Sequence, residues 1–131
     1  MSAVELEEHP VAAVVRVHAC EPDELRAALA AAVASRPHVV VDLAGVHTLD
    51  DTVLGLLVRA HRNARRRGGL VCLAAPSRFV ITVLHTMQVH GLFPLFDERD
   101  EALEWLQDLE KNGEQGVDVH GSLEARQVTG L

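Results

Sequence analysis

Tyrosine is absent from this chain of 131 residues, and aromatic residues make up 3% of it. Stacking platforms for nucleic-acid bases are therefore not available, and any core must be built from aliphatic side chains and Ala. Positive charge is also scarce. Twelve Lys and Arg stand against 19 Asp and Glu, a formal net charge of -7, and phosphate neutralisation would need the opposite balance, so nucleic acid is excluded as a general partner. The two cysteines, Cys20 and Cys72, lie far apart with no CxxC spacing, which excludes a disulfide framework and reads as two reduced, buried thiols. No apolar run approaches the roughly 18 residues of a spanning helix, so direct membrane insertion is not expected. Met1 to His9 is acidic and lacks the basic-then-apolar order of a secretory signal. These absences predict a soluble cytoplasmic protein whose partner is another protein or a small ligand.

What is present is aliphatic periodicity. Hydrophobic residues make up 48% of the chain, enough for one compact domain. Val11 to Val17 is nearly continuously apolar and suits a strand covered on both faces. Glu21-Pro22-Asp23-Glu24 then opens a helix, with Pro at its first position and acids near its positive end. Leu25, Ala28, Leu29, Ala32 and Val33 form its apolar stripe, and Pro37 stops it. Val39 to Leu43 is the next strand. From Thr52 a second helix places Val53, Leu56, Leu57, Ala60 and Ala64 on one face, and Gly68-Gly69 ends it. Leu70 to Ala74 is a third strand, followed by a helix opened by Pro76-Ser77 with Val80, Val83, Leu84 and Met87 inward and Gly91 at its end. Leu92 to Phe96 predicts a last strand, limited by Pro94 to an edge or to pairing at its end. A final helix, Glu98 to about Glu110, turns Ala102, Trp105, Leu106 and Leu109 inward. Strands alternating with helices imply parallel βα units. The expected class is α/β, a small, mixed, mostly parallel sheet of about four strands with about four helices. Residues 1–10 read as an N-terminal segment, 11–110 as the domain and 111–131 as a flexible tail.

Catalytic and metal chemistry find little support in the sequence. Ser35, Ser77 and Cys72 have no motif context as nucleophiles, and Gly68-Gly69 is a helix stop rather than a phosphate loop. Eight histidines are present, yet none are paired at HxxxH or HxH spacing, and His85 and His90 lie five apart on different helical faces. No cofactor is expected, and the reading is not an enzyme. Arg59, Arg62, Arg65, Arg66 and Arg67 form the one basic concentration, either a solvated helix face or a surface for an acidic partner.

The most informative stretch runs from Val39 to Leu57. Its apolar strand ends in Asp42-Leu43-Ala44-Gly45-Val46, passes His47 and enters a helix at Asp50-Asp51-Thr52-Val53-Leu54. This resembles the core signature of the STAS domain found in anti-sigma factor antagonists, where Asp-Leu-x-Gly-Val leads to Asp-Ser-Ser/Thr-Gly-Leu. The resemblance runs from about Val11 to Leu109 and continues through Arg65-Arg66-Arg67-Gly68-Gly69 and Gly91-Leu92-Phe93-Pro94-Leu95-Phe96. It implies a STAS-like domain that exchanges partners under control of a phosphorylated hydroxyl. Here Asp51 occupies the phosphoacceptor position, Thr52 is the alternative acceptor, and Val53 stands where the family has Gly. A permanent carboxylate makes the module phosphorylation-insensitive or phosphomimetic, although it carries about one negative charge where phosphoserine carries roughly 1.5 to 2.

The resemblance further implies an anti-sigma factor, or a serine kinase of the anti-sigma type, as partner, with a homodimer possible. The contact residues would be Asp42, His47, Asp50, Asp51, Thr52, Val53, Leu54, Gly55 and Arg59. From the residues alone, Asp42 also reads as a solvated strand end that orients the loop, and His47 as a solvated loop residue. Asp50 and Asp51 are also good helix-start residues, one carboxylate capping while the other projects to solvent. Family members usually carry a two-strand hairpin before their first helix, and the direct passage from Val17 to Pro22 predicts a shortened entry here. A STAS subunit of a transporter complex, or an oligomerising scaffold, is the alternative function.

Overall fold

Val39, Val40 and Val41 are all fully buried, and consecutive residues of a strand point to opposite faces, so both faces of this sheet must be covered. The computed structural model describes residues 4–17, 22–47, 49–89 and 91–111. Its elements run β1 (Val4–Glu8), β2 (Ala12–Val17), α1 (Pro22–Ser35), β3 (His38–Asp42), α2 (Asp51–Arg66), β4 (Val71–Ala74), α3 (Arg78–Thr86), β5 (Leu95–Phe96) and α4 (Arg99–Lys111). Among the described residues the strands form one five-stranded sheet in the order β1-β2-β3-β4-β5. The β1 strand is antiparallel to β2, and every later pairing is parallel.

Two cores follow from the strand alternation. Ala13, Val15, Val17, Val39, Val41, Val71 and Leu73 pack with Leu25 and Leu29 of α1, Leu54 and Leu57 of α2, and Val80 and Leu84 of α3. Ala12, Val14, Val40, Cys72 and Ala74 face the other way, onto Ala102, Leu103, Trp105 and Leu106 of α4. Among the described residues one face thus carries three helices and the other a single helix. On that second face Trp105 packs against Phe96, ring centroids 5.4 Å apart. Cys72 is a free thiol held in this core, and burial pushes its pKa up, so it is inert toward ordinary thiolate chemistry. Cys20 lies outside the described residues.

The α/β class and the four helices agree with the sequence expectation, but the N-terminal segment differs. Residues expected as a plain lead-in form β1, which makes a hairpin with β2 through a turn closed by the His9 amide donating to the Ala12 carbonyl at 2.8 Å. The entry before α1 is therefore not shortened. Val4-Glu5-Leu6-Glu7-Glu8 carries too many acids to read as a strand by propensity. It is held instead by edge pairing and by arginines from elsewhere in the chain. Arg99 Nη1 reaches Glu7 Oε2 at 2.6 Å, and Arg36 joins Glu8 at 2.9 Å while donating to the His9 carbonyl at 2.8 Å. The Arg99 hydrogen bond holds the Glu7 carboxyl below its usual range. At the other edge, β5 is only two residues long. Its ladder is completed by the Leu73 amide donating to the Pro94 carbonyl and the Ala75 amide to the Phe96 carbonyl.

The passage from α2 to β4 requires glycine twice. Gly68 has φ +82, its amide donates to the Arg65 carbonyl, and the Gly69 amide donates to the Ala64 carbonyl, the two bonds of a Schellman closure. A Cβ on Gly69 would sit 1.5 Å from the Pro37 carbonyl oxygen. Replacing Gly69 by Ala is expected to cost about 3 kcal/mol or more in urea unfolding. A loss below about 1 kcal/mol would show that the backbones separate freely here.

Beside this crossing lies His38, 3% exposed. Its Nδ1 accepts the Leu70 amide at 3.1 Å, which requires a neutral ring, and its Nε2 lies 3.7 Å from Glu110 Oε2. Desolvation lowers its pKa below the ordinary 6.5, with Glu110 pulling the other way. The unfolded chain therefore takes up this proton at a higher pH than the folded one. The contribution is fully present above about pH 6.5 and is lost as pH falls toward the depressed folded value. Asn at position 38 keeps an acceptor for Leu70 without titrating. His38→Asn should flatten the acid limb of stability against pH, and an unchanged limb would refute the assignment.

Candidate functional site

The site is built at the carboxyl ends of β3 and β4, where the chain must leave the sheet and turn into helices. Asp42, the last residue of β3, pairs in register with Arg16 of β2. Its Oδ2 lies 3.5 Å from Arg16 Nε, and its Oδ1 accepts the Ala44 amide at 3.0 Å. Asp42 is 6% exposed, so it is a buried anchor of the loop rather than the solvated strand end expected. The Leu43 amide donates to the Ala74 carbonyl and the Val46 amide to the Leu43 carbonyl, both at 2.9 Å. Leu49, 6% exposed, pins the far end of the loop into the core. Thr48 lies outside the described residues.

Ser77 joins this loop to the next helix. Its hydroxyl donates to the His47 carbonyl at 2.9 Å and accepts the Val80 amide at 3.1 Å as N-cap of α3. The sequence showed Ser77 as a helix-opening residue but gave no sign of the second bond, because its partner is a backbone carbonyl 30 residues away. The His47 side chain is exposed. Just before Ser77, Ala75 has φ +53 and precedes Pro76, a backbone strain of the order of 1–3 kcal/mol for a residue with a Cβ.

The two carboxylates of the turn have different jobs. Asp50 is the N-cap of α2, with φ -94 and ψ 174 and with Oδ1 accepting the Val53 amide at 2.9 Å. Asp51 is the first helical residue and is exposed, as is Thr52. Among the described residues the Asp51 carboxylate makes no hydrogen bond or ion pair, so its charge is held near the positive end of the helix and offered to solvent. Val53 is half-buried and Leu54 is in the core, 4% exposed. Leu54 supports the turn from beneath, with little surface of its own for a partner.

Asp51, Leu54, Gly55, Val58, Arg59 and Arg62 line one wall of a groove of about 380 Å³, and Met87 and Val89 line the other. Met87 was expected to face inward, but α3 ends at Thr86 and Met87 is its C-cap, 47% exposed. A helical repeat predicts a buried position only while the helix lasts. Phe79, in the first turn of α3, is 70% exposed. Its exposure has no signature in the sequence, since an apolar residue at a helix start reads as core. The structure leaves His47, Asp50, Asp51, Thr52, Gly55 and Arg59 exposed, brings Asp51, Gly55 and Arg59 together on the groove, and buries Asp42 and Leu54.

Among the described residues no group of three or more His, Cys, Asp or Glu side chains could hold a metal ion. His61, the histidine on α2, meets Phe93 edge-on, ring centroids 5.4 Å apart. Burial, then Arg65 and Arg62, lower its pKa, which makes it a neutral packing residue near pH 7.

The model of the STAS domain family matches residues 4–102. The structure of an anti-sigma factor antagonist from Mycobacterium paratuberculosis superposes with TM-score 0.68 at 25% identity, over 82% of this chain and 99% of that one. The anti-sigma factor antagonist SpoIIAA in its unphosphorylated form gives TM-score 0.71 at 18% identity, over 81% and 97%. SLC26A9 gives TM-score 0.64 at 14% identity, over 85% of this chain but 21% of that much longer one. None of the curated proteins compared with it matches in sequence.

The geometry separates the two acids by experiment. Asp50→Ala should cost about 1 kcal/mol by removing the cap. Asp51→Ala should stay within about 0.5 kcal/mol of the parent, because an exposed first-turn charge contributes little. Equal losses in urea titrations of the two variants would contradict this division of labour.

Proposed function

The chain belongs to the STAS domain family, and from that premise we propose that it is a non-enzymatic regulatory module of the anti-sigma factor antagonist type. Its partner is an anti-sigma factor or a serine kinase of the anti-sigma type, met in the cytoplasm. The observation that carries this reading is Asp51, an exposed carboxylate at the first position of α2 beside a neighbour already committed to capping. A side chain held this way changes the surface offered to a partner without changing the fold beneath it.

The contact face in this proposal is the turn and the first half of α2, with Asp50, Asp51, Thr52, Gly55 and Arg59 at its surface and His47 on the adjoining loop. Val53 and Leu54 shape the face from below, and Asp42 acts through the loop it anchors. Asp51 takes the place of the phosphoacceptor and fixes the module in one interaction state, deaf to a serine kinase at that position. Its single charge imitates a phosphate only in part. Thr52, exposed next to it, is the alternative acceptor. Phe79 lies two residues beyond Ser77, whose hydroxyl touches the loop, and supplies an apolar anchor of the kind protein interfaces use.

A second reading is a STAS subunit serving a transporter complex or an oligomerising scaffold. In its favour, the same fold recurs within a chain of which it makes up 21%, that of SLC26A9. Among the described residues no helix is long and apolar enough to cross a membrane, so in this reading the membrane part belongs to another chain or region.

Asp51→Ser distinguishes these readings. The substitution should raise affinity for a family-type anti-sigma kinase by about tenfold or more and allow phosphate incorporation at position 51. Isothermal titration of both forms, with mass spectrometry of the 48–55 segment, provides the measurement. Equal binding and no incorporation would remove the charge argument.

A further inference from the structure

Gly55 is exposed in the second turn of α2, and among the described residues nothing calls for a glycine there. Its φ is not positive, and a Cβ there would meet nothing within 4 Å. Glycine inside a helix is weaker than alanine. What it offers instead is an open path for another backbone to approach the helix surface.

The residues around it have a symmetry of their own. Asp51, Leu54, Gly55, Val58, Arg59 and Arg62 line the α2 wall of the groove, at the spacing of one helical face. Read backward, the same spacing recurs, so that position 51 exchanges with 62, 54 with 59, and 55 with 58. A second α2 laid antiparallel would therefore set Asp51 against the Arg62 of its mate and Arg62 against the mate's Asp51. Val58 would seat over the mate's Gly55. The two charges are about 16 Å apart along the helix at 1.5 Å per residue, so each can meet its opposite without crowding the centre. Met87 and Val89 on the facing wall supply apolar cover for the visiting helix.

We propose that the groove between α2 and the end of α3 binds a second copy of this chain, forming a two-fold dimer whose axis passes between Gly55 and Val58, with reciprocal Asp51–Arg62 pairs. A two-fold interface must be self-complementary, and this stripe carries one sign of charge at one end and the opposite sign at the other. The net charge of -7 on each copy opposes encounter at long range, but screening over roughly 8 Å at physiological salt leaves the local pairs to act at contact. The dimer covers Asp51 and Gly55, so self-association and binding of another protein at this face exclude one another. The inference does not rest on the antagonist reading, because it needs no other protein.

Sedimentation of the full chain over a concentration series provides the test. The parent should pass from monomer to dimer, and Gly55→Gln, whose side chain enters open space, should fold normally by circular dichroism and dimerise about tenfold more weakly. Asp51→Arg and Arg62→Asp should each weaken dimerisation by a similar factor, since each places two like-charged pairs in the interface. Mixing the two single variants, or combining both changes in one chain, should restore it. A parent that stays monomeric at every concentration, a Gly55→Gln dimer of parental strength, or a charge swap that restores nothing would overturn the proposal. So would a Gly55→Gln variant that loses an anti-sigma-type partner while the parent never dimerises, an outcome that assigns the groove to that partner and leaves the functional reading intact.

Discussion

Burying every residue of β3 sets the terms for the rest of the molecule. A strand whose successive side chains are all withdrawn from water needs helices on both sides, and here three helices on one face and α4 on the other meet that need. Each fully buried aliphatic side chain contributes roughly 1.5 to 3 kcal/mol, and a one-residue register slip would exchange the two cores wholesale. The register is therefore rigid up to Asp42. The loop that follows begins from a fixed point, with one Asp42 oxygen toward Arg16 and the other holding the Ala44 amide.

Stability and presentation are thus divided among neighbouring residues of similar chemistry. Three aspartates lie within ten positions, and each has a different environment. Asp42 is internal and paired, Asp50 closes the helix start, and Asp51 is left to solvent. Only the last can be altered at small cost to the fold, which suits a position where partner choice is set. The same economy appears on α2 as a whole, whose Leu56, Leu57, Ala60 and Ala64 are buried while its outer face remains open to other molecules.

The helices and the central strands were legible in the sequence because aliphatic periodicity and the Pro and Gly stops point to the same boundaries. Leu25, Leu29, Ala32 and Val33 fall on the buried face of α1, and Pro37 follows its end. The β1 strand was not legible, because its glutamates oppose strand propensity locally and are stabilised by Arg36 and Arg99 from distant parts of the chain. Met87 departs from the pattern for a related reason: periodicity says nothing about which residue closes the helix. At the turn, the order of residues in the family signature located Asp50 and Asp51 at the start of α2. The burial of Asp42 depends on Arg16 in the adjacent strand, a contact that spacing along the chain does not report.

The Ser77 hydroxyl is shared between the His47 carbonyl and the Val80 amide. Two structural events that look separate are therefore thermodynamically linked, because a loop movement that withdraws the His47 carbonyl also disturbs the group capping α3. Any ligand that displaces the loop must work against fraying of that helix, and any change that loosens its first turn makes the loop easier to move. Amide exchange at Val80 would then serve as a remote gauge of events at the α2 turn, reporting them from a helix that need not touch the partner.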